Sequence, residues 1–440
     1  MVSELWFSRL GGQLWAAAAE QGRIVELHHE WPERGAVSLG AIYLAKVSRI
    51  VPQLGAAFVT LGSGCEGYLE SPGEQLSRLR AGETLLVQVR REAFAGKRAK
   101  VSAALEIGGT HLILRPGSSG CSVSRRIEHD AERKRLSAWA AAAASAAGGR
   151  LQVRTASSGV GEDLLQRELD SLKTRAAGWA ETASRKTAPC LIAAAPGRVD
   201  RLVRDFAGRG LQRVVVETSA DLTAASDALG AEDSRIEHYC DTQPLIHRAG
   251  IWSTAQQALS TRTHLTSGAS LAFESTEALW AVDVNAAAVR GTTAERAART
   301  INGEAAVTIA AEIRLRDIAG TILIDFLDLK NGAQREEVAE RFRMALRPDR
   351  RYLRVSGWTS LGLCELARRR EGPGLLERLG EPHAPTPWGR AAQILAAIPG
   401  ERGIAPRRRV AAVDEASAHA LRASIESSET PIELDIEIKV

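Results

Sequence analysis

The sequence predicts a multidomain α/β protein. The chain has 440 residues, more than one hydrophobic core usually holds, so about two to four domains are expected. Residues 36–105 have the pattern of an all-β unit, whereas residues 270–330 alternate strand and helix patterns. Hydrophobic residues make up 45% and charged residues 25% of the chain, a globular balance that argues against wholesale disorder.

The composition also favours a reduced, cytoplasmic protein. No apolar run reaches the roughly 18–20 residues that a membrane-spanning helix needs. The first residues lack the basic and apolar regions of a signal peptide. The five cysteines contain no Cys-x-x-Cys pair, which disfavours a disulfide framework or a sequence-local zinc site.

The net charge of +4 is too small to indicate a nucleic-acid-binding protein. Of the 57 basic residues, however, 49 are Arg and eight are Lys. A guanidinium group is planar and presents a fork of donors suited to phosphate. A GC-rich genome would produce the same excess of Arg, so composition alone leaves both explanations open.

Short runs bounded by Gly or Pro predict five strands between residues 36 and 105: residues 42–51, 56–60, 66–70, 84–91 and 98–105. Five strands in about 70 residues favour a small barrel of the OB type, a fold that often binds single-stranded nucleic acid. A barrel with only a structural role is the alternative.

The middle of the chain mixes strands and helices. An Ala-rich helix is expected to begin near Ile127 and to end before Gly148-Gly149. Buried-strand patterns at residues 190–195 and 213–217 flank a helix predicted over residues 198–207.

The clearest strand–helix–strand pattern follows. Strands are predicted at residues 271–274, 279–285 and 318–327, and helices at residues 292–315 and 334–346. Gly- and Pro-rich sequence between residues 372 and 387 predicts a linker, ahead of a short helix–strand tail.

Acidic residues interrupt two of these apolar strands. Strand alternation places Asp283 and Asn285 on the face opposite Trp280 and Val282. Asp325 closes the next strand, and Asp328 follows it. Carboxylates on neighbouring strands can hold Mg²⁺ together with water and phosphate oxygens. Strand-end Asp residues are also common as helix caps and turn formers, so the strand pattern by itself does not decide between a metal site and a structural role.

Several motifs resemble those of the ribonuclease E/G family. STEALWAVDVN at residues 275–285 is similar to the family's catalytic strand, and EIRLRDIAG at 312–320 leads into IDFLD at 324–328 in the same way. LGLCELARRR at 361–370 looks like its closing helix. GAIY, AFV and GYL, within residues 40–69, resemble its S1-type barrel, and SRRIE at 124–128 and VRTA at 153–156 also match.

The resemblance implies a cytoplasmic, Mg²⁺-dependent endoribonuclease that acts on single-stranded RNA, such as rRNA precursors and mRNA, in RNA processing and decay. Mn²⁺ is an alternative metal. It also implies RNase H-like and DNase I-like α/β portions, an inserted S1-type OB barrel and a segment that senses the RNA 5′ end. The expected ranges are 1–35 with 200–258 (RNase H-like), 36–103 (barrel), 104–199 (sensor), 259–380 (DNase I-like, catalytic) and 381–440 (linker and shortened small domain).

The resemblance also assigns site residues. Asp283 and Asp325 match the two Mg²⁺-binding aspartates, and Asn285 matches the residue that supports the first aspartate and the scissile phosphate. The remaining matches are the RNA-binding barrel residues Phe58, Tyr68 and Lys97, and the 5′-monophosphate pocket of Gly109, Ile113, Arg154 and Thr155. Without the family, two alternatives remain open: Phe58 as part of the barrel core, and Arg154 with Thr155 as an ordinary strand end.

Two departures from the family pattern affect these expectations. Ala286-Ala287 stands where members usually have a hydroxyl residue and a small one, which removes a hydroxyl but no metal ligand. No Cys-x-x-Cys follows Arg370, so zinc shared between protomers is not expected. We therefore expect a monomer, or a homodimer held without shared zinc.

Two other functions remain open on the sequence. One is a non-catalytic or weakly catalytic RNA-binding factor of the same family. The other is a metal-dependent phosphohydrolase of small nucleotides, which would leave the barrel unexplained. Retention of Asp283, Asn285 and Asp325 favours the nuclease over the first alternative.

Overall fold

The computed structural model describes residues 2–31, 37–62, 64–70, 76–93, 96–230, 233–286, 293–329, 331–381, 384–397, 408–412, 414–428 and 434–438. Its strands are β1 (Glu4–Leu10), β2 (Gln13–Glu20), β3 (Arg23–Glu30), β4 (Ile42–Val51), β5 (Ala56–Gly62), β6 (Cys65–Glu70), β7 (Thr84–Arg91), β8 (Ala99–Ser102), β9 (Ile107–Gly108), β10 (Leu112–Pro116), β11 (Cys121–Val123), β12 (Gly149–Val153), β13 (Cys190–Ala193), β14 (Arg213–Val216), β15 (Ile236–His238), β16 (Arg262–His264), β17 (Ser270–Ser275), β18 (Leu279–Asn285), β19 (Gly320–Asp325), β20 (Leu353–Trp358), β21 (Cys364–Arg368), β22 (Gly380–Glu381), β23 (Ala384–Pro385), β24 (Arg408–Ala412) and β25 (Leu434–Ile438).

The helices alternate with these strands through most of the chain. They are α1 (Asp130–Ala144), α2 (Glu162–Arg185), α3 (Arg198–Phe206), α4 (Ser219–Leu229), α5 (Leu245–Arg248), α6 (Ile251–Ala258), α7 (Ala294–Leu315), α8 (Gly332–Leu346), α9 (Leu375–Leu379), α10 (Pro387–Ala396) and α11 (Glu415–Glu426). In the described ranges, no helix is both long and apolar enough to cross a membrane.

Strands from two distant parts of the chain form the first sheet, in the order β15-β14-β1-β2-β3. The strands β1, β2 and β3 are antiparallel, while β14 and β15 run parallel to β1. Helices α3 and α4 bury Val203, Phe206 and Ala225 against one face of this sheet, beside Phe7. The N-terminal strands are therefore completed by the segment after residue 200.

The predicted barrel is confirmed as a closed five-stranded barrel. Strands β4, β5, β6, β8 and β7 pair in this order, and β7 pairs back onto β4. Apolar side chains of alternating positions, such as Val47, Val59 and Val89, fill its interior. The later strand β13 pairs antiparallel with residues 42–44 at the beginning of β4 and so attaches residues 190–193 to the barrel.

Residues 107–153 form a smaller sheet in the order β11-β12-β10-β9. Helices α1 and α2 cover it and bury Leu136, Leu165 and Leu169 with the strand residues Leu114 and Leu151.

The strand–helix–strand pattern predicted after residue 270 is confirmed and belongs to a six-stranded sheet. Its order is β16-β17-β18-β19-β21-β20, with β18 and β19 parallel and joined through α7. Helices α7 and α8 pack on one face, where Phe273, Ile309 and Phe342 are fully buried. The opposite face carries polar side chains.

Residues 361–370, expected from the family resemblance to form a helix, form strand β21, so that prediction is wrong. Cys364, Leu366 and Arg368 are buried, whereas Glu365 and Ala367 between them are exposed. A period of two, together with pairing to both β19 and β20, makes this segment an interior strand.

The Gly- and Pro-rich sequence predicted as a linker between residues 372 and 387 contains helix α9. Its Leu375 and Leu379 are buried with Leu10 and Trp15 from the first sheet. Residue 374 has to be a glycine, because a Cβ atom there would lie only 2.8 Å from the carbonyl oxygen of Asp317.

Candidate functional site

Strand β18 presents the predicted carboxylate on the open face of the six-stranded sheet. Trp280, Val282 and Val284 point into the core, as the alternation predicts, and Asp283 and Asn285 are exposed on the other face. The carboxylate of Asp283 is therefore hydrated, and the apolar character of the strand reflects only its buried face.

The two predicted metal ligands are direct cross-strand neighbours. Asp283 on β18 pairs in register with Asp325 at the end of the parallel strand β19. Neighbouring strands lie about 4.7–4.9 Å apart, so the two side chains are adjacent on the same face of the sheet. The amide nitrogen of Asn285 donates a hydrogen bond of 2.9 Å to Oδ2 of Asp283. The three residues assigned from the sequence thus form one group on the open face.

The charges at this group oppose one another. The pKa of Asp325 is raised above its ordinary value, first by partial burial and then by the negative charges of Asp283 and Asp328. Within the described part of the chain, none of these carboxylates forms an ion pair with a cationic side chain. A bound cation would relieve this repulsion.

The donor set fits Mg²⁺ or Mn²⁺. Mg²⁺ prefers oxygen ligands and is usually held by one or two carboxylates, with waters and substrate phosphate completing an octahedron. Asp283 and Asp325 supply two such carboxylates on a solvent-exposed face. Among the described residues, no group of three or more His, Cys, Asp or Glu side chains is placed to hold a metal ion, so a cation here would depend on two carboxylates, water and substrate oxygens.

A buried asparagine fixes the loop that follows Asp325. Asn302 on α7 is fully buried; its Nδ2 donates to the carbonyl of Leu327, and its Oδ1 accepts from the amide of the same residue. These bonds, of 2.7 and 2.9 Å, hold the loop between Asp325 and Asp328.

Ala286 and Ala287, which replace the hydroxyl residue and the small residue of the family motif, follow β18. Ala286 is exposed directly after the strand, while Ala287 lies outside the described residues.

The barrel aromatics lie on its outer surface and not in its core. Phe58 on β5 and Tyr68 on β6 are paired in register, with ring centroids 5.8 Å apart in an edge-to-face arrangement. Both are half-buried, whereas the flanking Ala57, Val59 and Leu69 fill the core. The alternative interpretation of Phe58 as barrel core is therefore wrong.

Two arginines border the Phe58 ring. The guanidinium carbon of Arg49 lies 4.7 Å from the ring centroid, and that of Arg98 lies 5.2 Å away. Lys97, next to Arg98, is exposed and lines a cavity of about 710 Å³ between the barrel and α3. Aromatic faces next to cationic groups are the usual surface for single-stranded nucleic acid.

Three of the four predicted 5′-sensor residues are close together. Nη1 of Arg154 donates to the carbonyl of Gly109 at 2.6 Å, and Arg154 and Ile113 line the same cavity. Nη2 of Arg154 donates to Oδ1 of Asp205 at 2.8 Å. The hydroxyl of Thr155, in contrast, bonds that of Ser124 at 2.9 Å. Strand β12 ends at Val153, before the two residues that the sequence places at its end, so Arg154 and Thr155 belong to the turn that follows the strand.

The cavity next to Arg154 is strongly cationic. It has a volume of about 330 Å³, and its described lining includes eight arginines and four carboxylates. Burial, followed by the charge of Arg198, lowers the pKa of Arg201 in its wall to about 10. An excess of partly buried guanidinium groups favours the binding of an anion.

Sequence reasoning missed several residues at these sites. They are Arg49 and Arg98 beside Phe58, Asp205 beside Arg154, and Asn302 behind Asp325. Asn302 left a signal in the sequence, because Asn-Gly within a helix interior is unfavourable unless the side chain has a specific partner. The other contacts join residues distant in the chain and leave no local pattern.

The fold and the sites define a multidomain α/β protein with an OB-type barrel and a sheet that carries paired carboxylates. Residues 106–371 match the model of the Ribonuclease E/G family. The chain is 32% identical over 391 residues to a ribonuclease E of a Nostoc species, covering 83% of this chain and 56% of that protein. It is 31% identical over 397 residues to ribonuclease G of Escherichia coli strain K12, covering 84% of this chain and 80% of that protein.

The chain belongs to the ribonuclease E/G family. The chain spans just over half the length of the Nostoc ribonuclease E, and most of the length of the E. coli ribonuclease G. The family resemblance of the sequence motifs is thereby confirmed.

Proposed function

We propose that this protein is a divalent-metal-dependent endoribonuclease that cleaves single-stranded RNA in cytoplasmic RNA processing and decay. The observation that carries the proposal is the pairing of Asp283 with Asp325, with Asn285 bonded to the first carboxylate, in a member of the ribonuclease E/G family. Its substrates would be rRNA precursors and mRNA.

In this proposal each residue of the group has a distinct task. Bound Mg²⁺ would polarise the scissile phosphate and supply an activated water. Asp283 and Asp325 hold the cation, and the hydrogen bond from Asn285 fixes the orientation of Asp283. Asn285 is exposed, and its amide nitrogen has a second N–H that would donate to a phosphate oxygen. The water oxygen would bond to phosphorus as the bond to the 3′ oxygen breaks, and a proton given up by the water would be balanced by one taken up at the 3′ oxygen, so that the products carry a 5′-phosphate and a 3′-hydroxyl.

The barrel would bind the RNA on which this group acts. Stacking of bases on Phe58 and Tyr68 is tolerant of sequence, and the neighbouring Arg49 and Lys97 supply positive charge. The charge of Arg98 is offset by its ion pair with Glu66. The open position of Asp283 and Asp325 on a sheet face favours a polymer over a small nucleotide, since small ligands are usually enclosed in a pocket.

A preference for 5′-monophosphorylated RNA is supported by the cationic cavity at Arg154. The carbonyl of Gly109 and the carboxylate of Asp205 each take a hydrogen bond from a terminal nitrogen of this guanidinium. A guanidinium has five N–H donors, so three remain for a phosphate. Thr155 would join the pocket only if its hydroxyl turned away from Ser124.

The same proposal includes the finer architecture. The mixed sheet of β1–β3, β14 and β15 is assigned to an RNase H-like portion, and the sheet of β16–β21 to a DNase I-like portion. The domain ranges stated above, and a monomer or a homodimer without shared zinc, are retained as parts of the proposal.

The test is incubation of the purified protein with a labelled single-stranded RNA oligonucleotide in Mg²⁺, in Mn²⁺ or in EDTA. We expect internal cleavage with either metal, none in EDTA, and products with 5′-phosphate and 3′-hydroxyl ends. Cleavage that continues in EDTA, or tight RNA binding with no cleavage in either metal, would contradict the proposal. The second result would instead favour the RNA-binding factor.

A further inference from the structure

The open face of the catalytic sheet extends past the carboxylates to the edge strand β16. The register places Arg262 opposite Ala272, Ala272 opposite Asp283, and Asp283 opposite Asp325. These residues form one row across four strands. His264 lies in the adjacent row with Ser270 and Asn285.

The spacing of this row brings Arg262 within reach of a ligand at the carboxylates. Neighbouring strands lie about 4.7–4.9 Å apart, so the backbone of Arg262 is about 10 Å from that of Asp283. Ala272 stands between them and carries only a methyl group. The long side chain of Arg262 can therefore lie across β17 toward the phosphate next to a metal-held one.

The guanidinium of Arg262 has no internal partner among the described residues. It is exposed and forms neither a hydrogen bond nor an ion pair there, not even with Glu274, its diagonal neighbour on β17. Arg316, which approaches the same strand from the buried side, is in contrast fully engaged by Glu312, Ser260 and Thr263. With no internal partner to hold it in the described ranges, the guanidinium is free to contact an external anion bound at the carboxylates.

The negative charge of this sheet face is a second reason to expect that the guanidinium contacts the RNA. Asp283, Asp325 and Asp328 would repel the RNA backbone on both sides of a bound metal ion. A guanidinium on the same face offsets that repulsion for a flanking phosphate, and its fork matches two phosphate oxygens.

We propose that Arg262 binds the RNA phosphate adjacent to the scissile one and so positions the strand over Asp283 and Asp325. This inference rests on the proposed endoribonuclease function. His264 points the same way two residues along β16, about 6.7 Å from Arg262, and provides a second contact for the next nucleotide.

The test compares Arg262→Ala and Arg262→Lys with a matched control, Arg354→Ala. Arg354 is also exposed on this sheet face, but it lies on β20 in the row of Ala367 and Thr321, four residues before Asp325 along β19. The measurements are the single-turnover cleavage rate of a 5′-hydroxyl RNA at subsaturating protein, and RNA affinity in EDTA as a function of salt.

We expect Arg262→Ala to cleave at least tenfold more slowly, and its salt dependence of binding to be shallower by about 0.7 in log–log slope, as for one lost phosphate contact on a single strand. Arg262→Lys should recover the salt slope but only part of the rate, because it keeps the charge and loses the fork. Arg354→Ala should match the wild type in both measurements.

Equal rates and salt slopes for Arg262→Ala and Arg354→Ala would overturn the inference, even if the wild type cleaves RNA normally. A wild-type protein that does not cleave would overturn the proposed function instead. In that case the salt slope in EDTA still decides the role of Arg262, since it requires no catalysis.

Discussion

At the scale of single residues, function depends on side chains that the sheet and barrel leave exposed. Asp283, Asn285 and Asp325 lie on one open face, and Phe58 and Tyr68 lie on the outside of the barrel. Neither group is needed to fill a core, so each can be changed with little effect on folding. Binding, chemistry and end sensing should therefore be separable by mutation.

Loss of a barrel ring should weaken RNA binding. Phe58→Ala and Tyr68→Ala are each expected to cost about 1–3 kcal/mol of binding free energy, the value of one base–aromatic stack. The measurement is the affinity for a short single-stranded RNA in EDTA. Phe58→Leu is the control for apolar packing, because it keeps bulk under Arg49 and Arg98 but has no ring; an affinity equal to wild type in Phe58→Leu would exclude stacking.

Loss of Arg154 should remove the preference for a 5′-monophosphate. The wild type is expected to cleave 5′-monophosphorylated RNA faster than 5′-hydroxyl RNA of the same sequence, because the cavity at Arg154 is cationic. Arg154→Ala should equalise the two rates by slowing only the monophosphorylated substrate. Arg150→Ala, an exposed arginine on the preceding strand, is the matched control. If the wild type itself cleaves both RNAs at one rate, the cavity has no sensing role.

At the scale of elements, buried polar contacts join the segments that carry the site. Asp317, just before β19, forms ion pairs with Arg351 and Arg368, and Asp349 pairs with Arg368. Glu26 on β3 pairs with Arg314 and Arg350. Four of the 49 arginines, Arg314, Arg350, Arg351 and Arg368, are thus used in ion pairs inside the fold.

Elements could be predicted from the sequence where their polar and apolar residues alternate clearly, and were missed where a buried ion pair obscures that alternation. Strands and helices with a clear period, such as β18 and α7, were predicted to within a few residues. Residues 361–370 were assigned by likeness, although the alternation of Cys364, Leu366 and Arg368 indicates a strand. Arg368 makes the alternation hard to recognise in the sequence, because an arginine is expected to be exposed. Here the residue is buried, and Asp317 and Asp349 compensate its charge.

Removal of the Asn302 amide should loosen the loop after β19. Asn302→Ala leaves the backbone amide and carbonyl of Leu327 without their partners, at a cost of about 1–3 kcal/mol for each group. The free energy of unfolding in urea should fall accordingly, and more Mg²⁺ should be needed for half-maximal cleavage. Asn302→Asp keeps the acceptor for the amide of Leu327 but buries a carboxylate whose second oxygen faces the carbonyl of Leu327, so it should destabilise the fold at least as much as Asn302→Ala. An unchanged Mg²⁺ requirement in both variants would separate this loop from the metal site.

Acid should destabilise the fold through the same buried groups. Burial lowers the pKa of His28 to about 4, so the folded protein keeps it neutral while the unfolded chain binds a proton below about pH 6.5. Burial alone would raise the pKa of Asp317, but Arg351 and Arg368 outweigh it and hold the pKa well below the ordinary value.

Both folded-state pKa values lie below the unfolded ones, so the unfolded state takes up more protons and stability falls with pH. The free energy of unfolding should decline below pH 6.5 through His28 and through His29, whose pKa burial also lowers well below its ordinary value, and further below about pH 4 through Asp317. His28→Gln should make the first part of this profile shallower, while His29 still contributes to it. A pH-independent stability between 6.5 and 4 in the wild type would show that both histidines are protonated in the fold.

At the scale of the whole molecule, the sequence predicted the kinds of unit more readily than the contacts between them. The barrel could be predicted from local turns and alternation, because all of its closing strands lie within about 60 residues. The pairing of β1 with β14, and of β13 with β4, joins strands well over a hundred residues apart. Such pairings depend on tertiary packing that no local pattern encodes.

The purified protein is expected to contain no stoichiometric zinc. Cys364 is fully buried, and burial raises the pKa of its thiol to about 12, so it is poorly suited to bind metal as a thiolate. Elemental analysis together with sedimentation checks this expectation. About half a zinc per chain, with dissociation of a dimer on chelation, would contradict it.

The central claim is that Asp283 and Asp325 hold the metal that cleaves RNA, and the most direct measurement is cleavage by Asp283→Asn and Asp325→Asn. Each change removes one charged ligand and keeps the side-chain shape on an exposed surface. We expect cleavage to be abolished while thermal unfolding and RNA affinity in EDTA do not fall below their wild-type values, since each change removes a negative charge, and Asp163→Asn, an exposed change on α2, to cleave normally. Cleavage above about a tenth of the wild-type rate in either variant, a loss of less than about 1.4 kcal/mol in transition-state stabilisation, would contradict the claim.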